Sequence, residues 1–254
     1  MSEEGTSAYV AGIIPARWGS SRFPGKPLHK LAGKPLLQHV FERVNNCEEL
    51  DLVLVATDDE RIREAAQEFG AEVVMTSSDH PTGTDRIAEA VRDRREVTHV
   101  INIQGDEPLI DPGLVDTLAR SLLSDPELPM ITAANPLTDP SHLDDPDIVK
   151  VVLNRVGNAL YFSRSALPHC RSTPDDLQLL RHMGIYGYRR DFLEQFVQWP
   201  PGILERAEHL EQLRALENGA RIRVVMTEDN SIGLDTPAQV PQLEALLAAS
   251  ATSL

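Results

Sequence analysis

The chain has 254 residues, 41% of them hydrophobic and 25% charged. That composition excludes disordered and fibrous classes and suits one large α/β domain, or a main domain with a small appendage. A formal net charge of -15 opposes broad binding to nucleic acid or anionic membranes. No apolar run is long enough to span a bilayer, and the segment Met1 to Thr6 lacks a signal-peptide pattern, so a cytoplasmic location without membrane insertion is expected. The two cysteines, Cys47 and Cys170, stand apart from each other and from histidines, which points to reduced thiols and not to a disulfide or zinc site.

In chain order, Tyr9 to Pro15 reads as a buried strand that runs into a Gly/Ser/Arg/Pro loop. Pro35 to Asn45 has helical spacing of Leu36, Val40 and Val44, with Pro in the first turn. Leu52 to Ala56 is a strand, Asp59 to Phe69 a helix stopped by Gly70, and Ala71 to Thr76 a strand. Thr84 to Arg94 predicts a further helix and His99 to Ile103 a further buried strand. Such alternation implies an α/β fold with a doubly wound, mostly parallel sheet and ligands at the carboxyl ends of its strands.

The second half predicts strands at Ile148 to Leu153, Ala159 to Ser163, Gly184 to Tyr188 and Arg221 to Met226. Leu204 to Glu217 reads as one helix closed by Asn218-Gly219, and Thr236 caps a final helix with Pro237 at its first position. No repeat or linker divides the chain. The expected organisation is a single domain over 1–254 with a C-terminal helix at about 236–249. Part of the second half is expected to form a small lobe that covers the acceptor.

Gly5 to Phe41 contains no Asp or Glu, yet holds Arg17, Arg22, Lys26, Lys30 and Lys34. This basic island in an acidic chain marks an anion site. Its loop of small residues after the first strand lets main-chain N–H groups approach phosphate oxygens, while Arg and Lys supply charge. The P-loop pattern Gly-x4-Gly-Lys-Ser/Thr is absent, which removes the main support for a kinase or ATPase. In Asn102 to Pro108, Asp106 follows a buried strand, where a carboxylate can hold Mg²⁺. Magnesium takes one or two protein carboxylates and fills its other positions with substrate oxygens and water. Asp235, in Gly233-Leu234-Asp235-Thr236-Pro237, is the candidate partner, although spacing alone favours a helix-entry residue with no metal.

These segments, together with Gly83-Thr84-Asp85-Arg86, Ala159 to Arg164, His182 to Tyr186 and Leu210 to Arg214, resemble the 3-deoxy-manno-octulosonate (Kdo) cytidylyltransferases, also called CMP-Kdo synthetases. The motifs run in order from about residue 9 to 245. The resemblance implies a Rossmann-like nucleotidyltransferase fold, with a nucleotide-binding half at about 9–135 and acceptor-binding and dimerisation elements at about 136–227, and a cytoplasmic, Mg²⁺-dependent homodimer. It implies transfer of CMP from CTP to Kdo for lipopolysaccharide synthesis.

By the same resemblance, Pro15, Ala16, Arg17, Arg22 and Lys26 contact CTP, with Arg22 and Lys26 nearest the phosphates. Gly83, Arg86 and Gln104 belong to the cytosine and ribose pocket. Asp106 and Asp235 are the paired Mg²⁺ ligands, and with Lys26 and Arg22 form the expected catalytic set. Arg164, His182, Tyr186, Glu211 and Gln212 match the acceptor positions. Without the resemblance, Arg164 reads first as a surface ion-pair partner, His182 as a core histidine, Tyr186 as a packed strand residue, and Glu211 and Gln212 as a solvated helix face.

Departures from the family pattern are Trp18, Phe23, the acidic segment Asp144 to Lys150, and Leu234. The segment His169 to Asp175 reads as a variable loop near the entrance. Lys26-Pro27 stands where sialic acid cytidylyltransferases carry Lys-Asn. An 8-amino Kdo analogue stays open as an alternative acceptor. A binding module without chemistry is the rival from another class, and pyrophosphate release discriminates it.

Overall fold

The computed structural model describes residues 8–19, 23–172 and 174–251. Eleven strands and eight α-helices are assigned among them. They are β1 (Val10–Ala16), β2 (Lys30–Leu31), β3 (Lys34–Pro35), α1 (Leu36–Val44), β4 (Leu52–Thr57), α2 (Glu60–Glu68), β5 (Glu72–Met75), α3 (Gly83–Ala90), β6 (His99–Asn102) and α4 (Pro112–Ser124). The chain continues with β7 (Met130–Pro136), β8 (Lys150–Leu153), β9 (Ala159–Ser163), β10 (Leu180–Arg189), α5 (Arg190–Phe196), α6 (Ile203–Glu208), α7 (Gln212–Glu217), β11 (Ile222–Met226) and α8 (Val240–Ala251).

Two compact units emerge. Unit 1 runs up to Ala119 and resumes from Ser231; unit 2 is Arg120–Asn230. In unit 1, β1 lies between β4 and β6, with β5 beyond β4, and every one of these pairings is parallel. The apolar runs in β1 and β4 leave Ile13, Ile14, Leu54 and Val55 without exposure, as strands covered on both faces require. Helix α1 buries Leu36, Leu37, Val40 and Val44, while Asp59 caps α2 by accepting from Arg61 N–H at 3.0 Å. Leu31, Leu36, Leu234 and Leu243 form a fully buried cluster that fastens the C-terminal segment to the rest of the unit.

In unit 2, β7 pairs antiparallel with β10 and parallel with β11, and β8 pairs antiparallel with both β9 and β10. This gives the chain the mixed, mostly parallel α/β architecture expected. Among the described residues no helix is long and apolar enough to cross a membrane.

Three elements differ from expectation. The expected helix Leu204 to Glu217 is two helices, broken where His209 adopts φ 53° and caps α6 in the left-handed conformation; Glu211 is consequently the residue before α7 and not part of a helix face. The final helix begins with a 3₁₀ turn at Pro237–Gln239 before α8. The helix expected over Thr84 to Arg94 ends at Ala90. Helices α4 and α5 and strands β2, β3 and β7 are additional to the elements expected.

Candidate active site

Strand β1 ends at Ala16, and the chain returns through Gly25 into a 3₁₀ turn at Lys26–Leu28. Gly25 has φ 72°, and a Cβ there would lie 3.0 Å from the Trp18 ring, so this return needs glycine. Its N–H donates to Trp18 O at 3.0 Å, and the Arg61 guanidinium lies 3.4 Å from the centroid of the Trp18 ring. The turn points Lys26 at the loop after β6, where Lys26 Nζ meets Asp106 Oδ2 at 2.5 Å. Gly105 makes that loop possible, because a Cβ would fall 2.9 Å from Pro15 O.

Asp235 reaches the same place by a different route. Leu234 is fully buried in the leucine cluster, an anchorage that stabilises by about 1.5–3 kcal/mol for a side chain of that size. Its N–H donates to Asp106 O at 2.8 Å. Gln239 Oε1 then accepts from the N–H groups of Asp235 at 2.8 Å and Thr236 at 2.9 Å. The main chain on both sides of Asp235 is thereby fixed next to Asp106.

A cavity of about 320 Å³ opens here, wholly within unit 1. Of the residues expected at the nucleotide, Pro15, Ala16, Arg17, Lys26, Gly83, Arg86 and Gln104 line it. Asp106 and Asp235 line it as well. Arg22 lies outside the described residues. Of the other island lysines, Lys34 turns to Glu42 at 2.6 Å and Lys30 is exposed; neither lines the cavity.

The floor at α3 is preorganised. Thr82 caps the helix, its Oγ1 accepting from Asp85 N–H at 3.2 Å. Arg86, nearly without exposure, donates to Thr76 Oγ1 and has Asp58 Oδ2 at 3.4 Å. His80, Pro81 and Thr82 also line the cavity and were missed by sequence reasoning. The available signal was the capping threonine directly before Gly83. His80 is held by Glu89 on α3, whose carboxylate also accepts from Ser77 N–H at 2.9 Å. That main-chain bond, with the histidine beside it, keeps Glu89 below the usual carboxylate range despite partial burial.

The donor set fits Mg²⁺. Two carboxylates and no thiolate or imidazole ligand set is the pattern for a hard cation that retains water and substrate oxygens. Among the described residues there is no group of three or more His, Cys, Asp or Glu side chains that could hold a metal.

The acceptor candidates lie in unit 2. Strand β10 breaks register against β7 between Met183 and Tyr186, and Thr132 fills the irregularity, donating to Ile185 O at 2.7 Å with its Oγ1 3.0 Å from His182 Nε2. The bulge re-aims the strand's side chains, and the His182 and Tyr186 rings come to 5.5 Å. Burial pushes the His182 imidazole down to about 3, so the ring is neutral at ordinary pH. Burial, and then the Glu211 carboxylate, push the Tyr186 phenol up. Gln212 is 3% exposed and its Nε2 has no hydrogen-bond partner among the described residues. Arg164 belongs to a separate network: its Nε donates to Glu208 O and its Nη1 to Pro146 O, each at 2.8 Å.

Residues 11–222 match the cytidylyltransferase family. The 3-deoxy-manno-octulosonate cytidylyltransferase of Syntrophotalea carbinolica is 49% identical over 246 residues, covering 94% of this chain and 98% of the relative. That of Solibacter usitatus is 48% identical, covering 95% of each chain. This chain belongs to the 3-deoxy-manno-octulosonate cytidylyltransferase family. The solved structure of a CMP:2-keto-3-deoxy-manno-octonic acid synthetase complexed with CTP superposes with a TM-score of 0.92 at 43% identity, covering 96% of this chain and 100% of the other. Membership in the Kdo cytidylyltransferase family thus extends over nearly the whole chain and includes every segment that builds the cavity.

Proposed function

We propose that the protein transfers CMP from CTP to the anomeric 2-hydroxyl of Kdo, releasing pyrophosphate and activating the sugar for lipopolysaccharide synthesis in the cytoplasm. The observation that carries this reading is the placement of Asp106 and Asp235 beside Arg17 and Lys26 in a single cavity. Family membership supports it independently, as does the likeness to a synthetase whose structure was solved with CTP.

In the reaction the hydroxyl oxygen bonds to the α-phosphorus, the bond from that phosphorus to the bridging oxygen breaks, and pyrophosphate leaves with the electron pair. The hydroxyl proton passes to solvent. Lys26 and Arg17 receive the phosphates, joined by Arg22, which the family resemblance assigns to the same role. Asp106 and Asp235 would hold Mg²⁺, which when bound neutralises phosphate charge and favours departure of pyrophosphate. Pro15, Ala16, Gly83, Arg86 and Gln104 orient the nucleoside, and positioning with charge neutralisation accounts for catalysis without a covalent intermediate.

For the acceptor, the Arg164 fork receives the carboxylate. His182, Tyr186, Glu211 and Gln212 take the sugar hydroxyls. The buried Gln212 Nε2, without a partner among the described residues, supports that role, because a buried donor without an acceptor is costly unless a ligand completes it. A homodimer is part of the reading; Val156, Leu160 and Ile203 in unit 2 are large apolar side chains each more than 60% exposed, which a second copy would cover.

Pyrophosphate release measured across CTP, UTP and ATP, each with Kdo, its 8-amino analogue and a sialic acid, tests the assignment. Turnover is expected with CTP and Kdo. Release that ignores the sugar acid, or that prefers another nucleotide, contradicts the assignment.

A further inference from the structure

Lys150, the first residue of β8, carries an ammonium with no exposure at all. Its Nζ donates to three main-chain carbonyls, Asp145 O at 2.8 Å, Ile148 O at 2.6 Å and Arg164 O. An ammonium has three protons, so its donor capacity is filled. No acceptor among them is a carboxylate. Burial accordingly lowers the tendency of Lys150 to hold its proton, with Asp145 and Asp144 acting in the opposite sense.

A buried cation bonded only to neutral carbonyls is an expensive way to fill space, and an apolar side chain of the same volume would pack at lower cost. What the charge touches gives its purpose. Arg164 is the residue assigned above to the acceptor carboxylate. Its main-chain oxygen is on Lys150, its N–H is on Glu208 Oε2 at 3.0 Å, and its guanidinium holds Pro146 O. Within the loop, then, Lys150 grips the carbonyls of Asp145 and Ile148 while Arg164 grips the one at Pro146 between them.

We propose that Lys150 is a positioning residue for the acceptor: it fixes the main chain of Arg164 and the loop 145–148 around the guanidinium, and adds positive potential behind it. The sugar acid then meets a cation that is already oriented, and no ordering cost falls on acceptor binding. Lys150 does not touch the acceptor, because all three protons are committed. This inference rests on the reading of Arg164 as the carboxylate-binding residue.

Steady-state rates of Lys150→Met and Glu208→Gln with CTP and Kdo test it. Methionine keeps the bulk and removes the charge; the glutamine variant loosens the Arg164 main chain from its other side. Both should raise KM for Kdo by about tenfold or more and leave KM for CTP within about twofold. Glu208→Gln decides the matter if Lys150→Met does not fold. A parallel rise in both KM values, or no change in either, overturns the proposal, since a merely structural lysine would not separate the two substrates. Failure of the unaltered enzyme to use Kdo overturns the acceptor assignment itself, and this inference with it.

Discussion

Lys26 Nζ lies 2.5 Å from Asp106 Oδ2, an ion pair between the turn after β1 and the loop after β6. Both groups are partly screened from water, at 14% and 29% side-chain exposure. The pair joins the cation proposed to receive a triphosphate to a carboxylate proposed to hold its metal. Each side chain is thereby kept at its post before the nucleotide arrives.

Lys26→Met removes a charge aimed at the phosphates. It should lower kcat/KM for CTP by roughly a hundredfold or more, as loss of a preorganised charge does. The cost to stability should stay within about 1 kcal/mol, because the ion pair is partly solvated. Kinetics with a thermal melt checks both; a variant as active as the parent would remove Lys26 from the site.

Gly105→Ala tests the close approach of two loops. The new Cβ would sit 2.9 Å from Pro15 O and 3.4 Å from Ile14 Cγ2, so the loop that carries Asp106 must shift. A loss of about 1–3 kcal/mol in denaturant unfolding is expected, a cost typical of overpacking. Weaker CTP binding should accompany it. Unchanged stability would show that the approach is not tight.

Gln212→Met removes a buried donor that has no partner among the described residues. Stability should hold or rise, because an unmet amide leaves the interior. KM for Kdo should nonetheless increase. A fall in stability with unaltered KM would assign Gln212 to packing alone.

His182 links stability to pH. Its folded value is about 3, against roughly 6.5 in an unfolded chain. Between those values the unfolded state binds the extra proton, so stability is full above the upper value and falls as pH drops toward the lower. The slope due to this one proton is at most about 1.4 kcal/mol per pH unit. Urea unfolding of the parent and His182→Gln from pH 7 to 4 should show the shallower decline in the variant; parallel curves would contradict the burial argument.

Much of unit 1 was legible because its strands are continuous apolar runs and its first two helices show apolar spacing or a glycine stop. Val10–Ala16 and Leu52–Thr57 are largely buried, Leu36, Val40 and Val44 fall on the buried side of α1, and Gly70 follows the end of α2. Strand β7 was hidden because it buries Thr132 and Asn135 among small residues and shows no alternation. Helix α5 follows β10 without a capping side chain. Helix α4 is absent from the expected elements even though Leu114, Leu118 and Leu122 recur at helical spacing. The break at His209 was illegible, since a left-handed histidine carries no mark in the sequence. Within the cavity the two aspartates could be named from motifs, but the means of bringing them together could not. That depends on Leu234 N–H reaching Asp106 O and on Gln239 holding the next turn.

The most direct test of the central claim is pyrophosphate release from CTP and Kdo by the parent, Asp106→Asn and Asp235→Asn, with and without a chelator. The account predicts magnesium-dependent turnover in the parent and losses on the order of a hundredfold or more in each folded variant. Turnover that survives the chelator, or that either asparagine variant sustains at the parent rate, would contradict it.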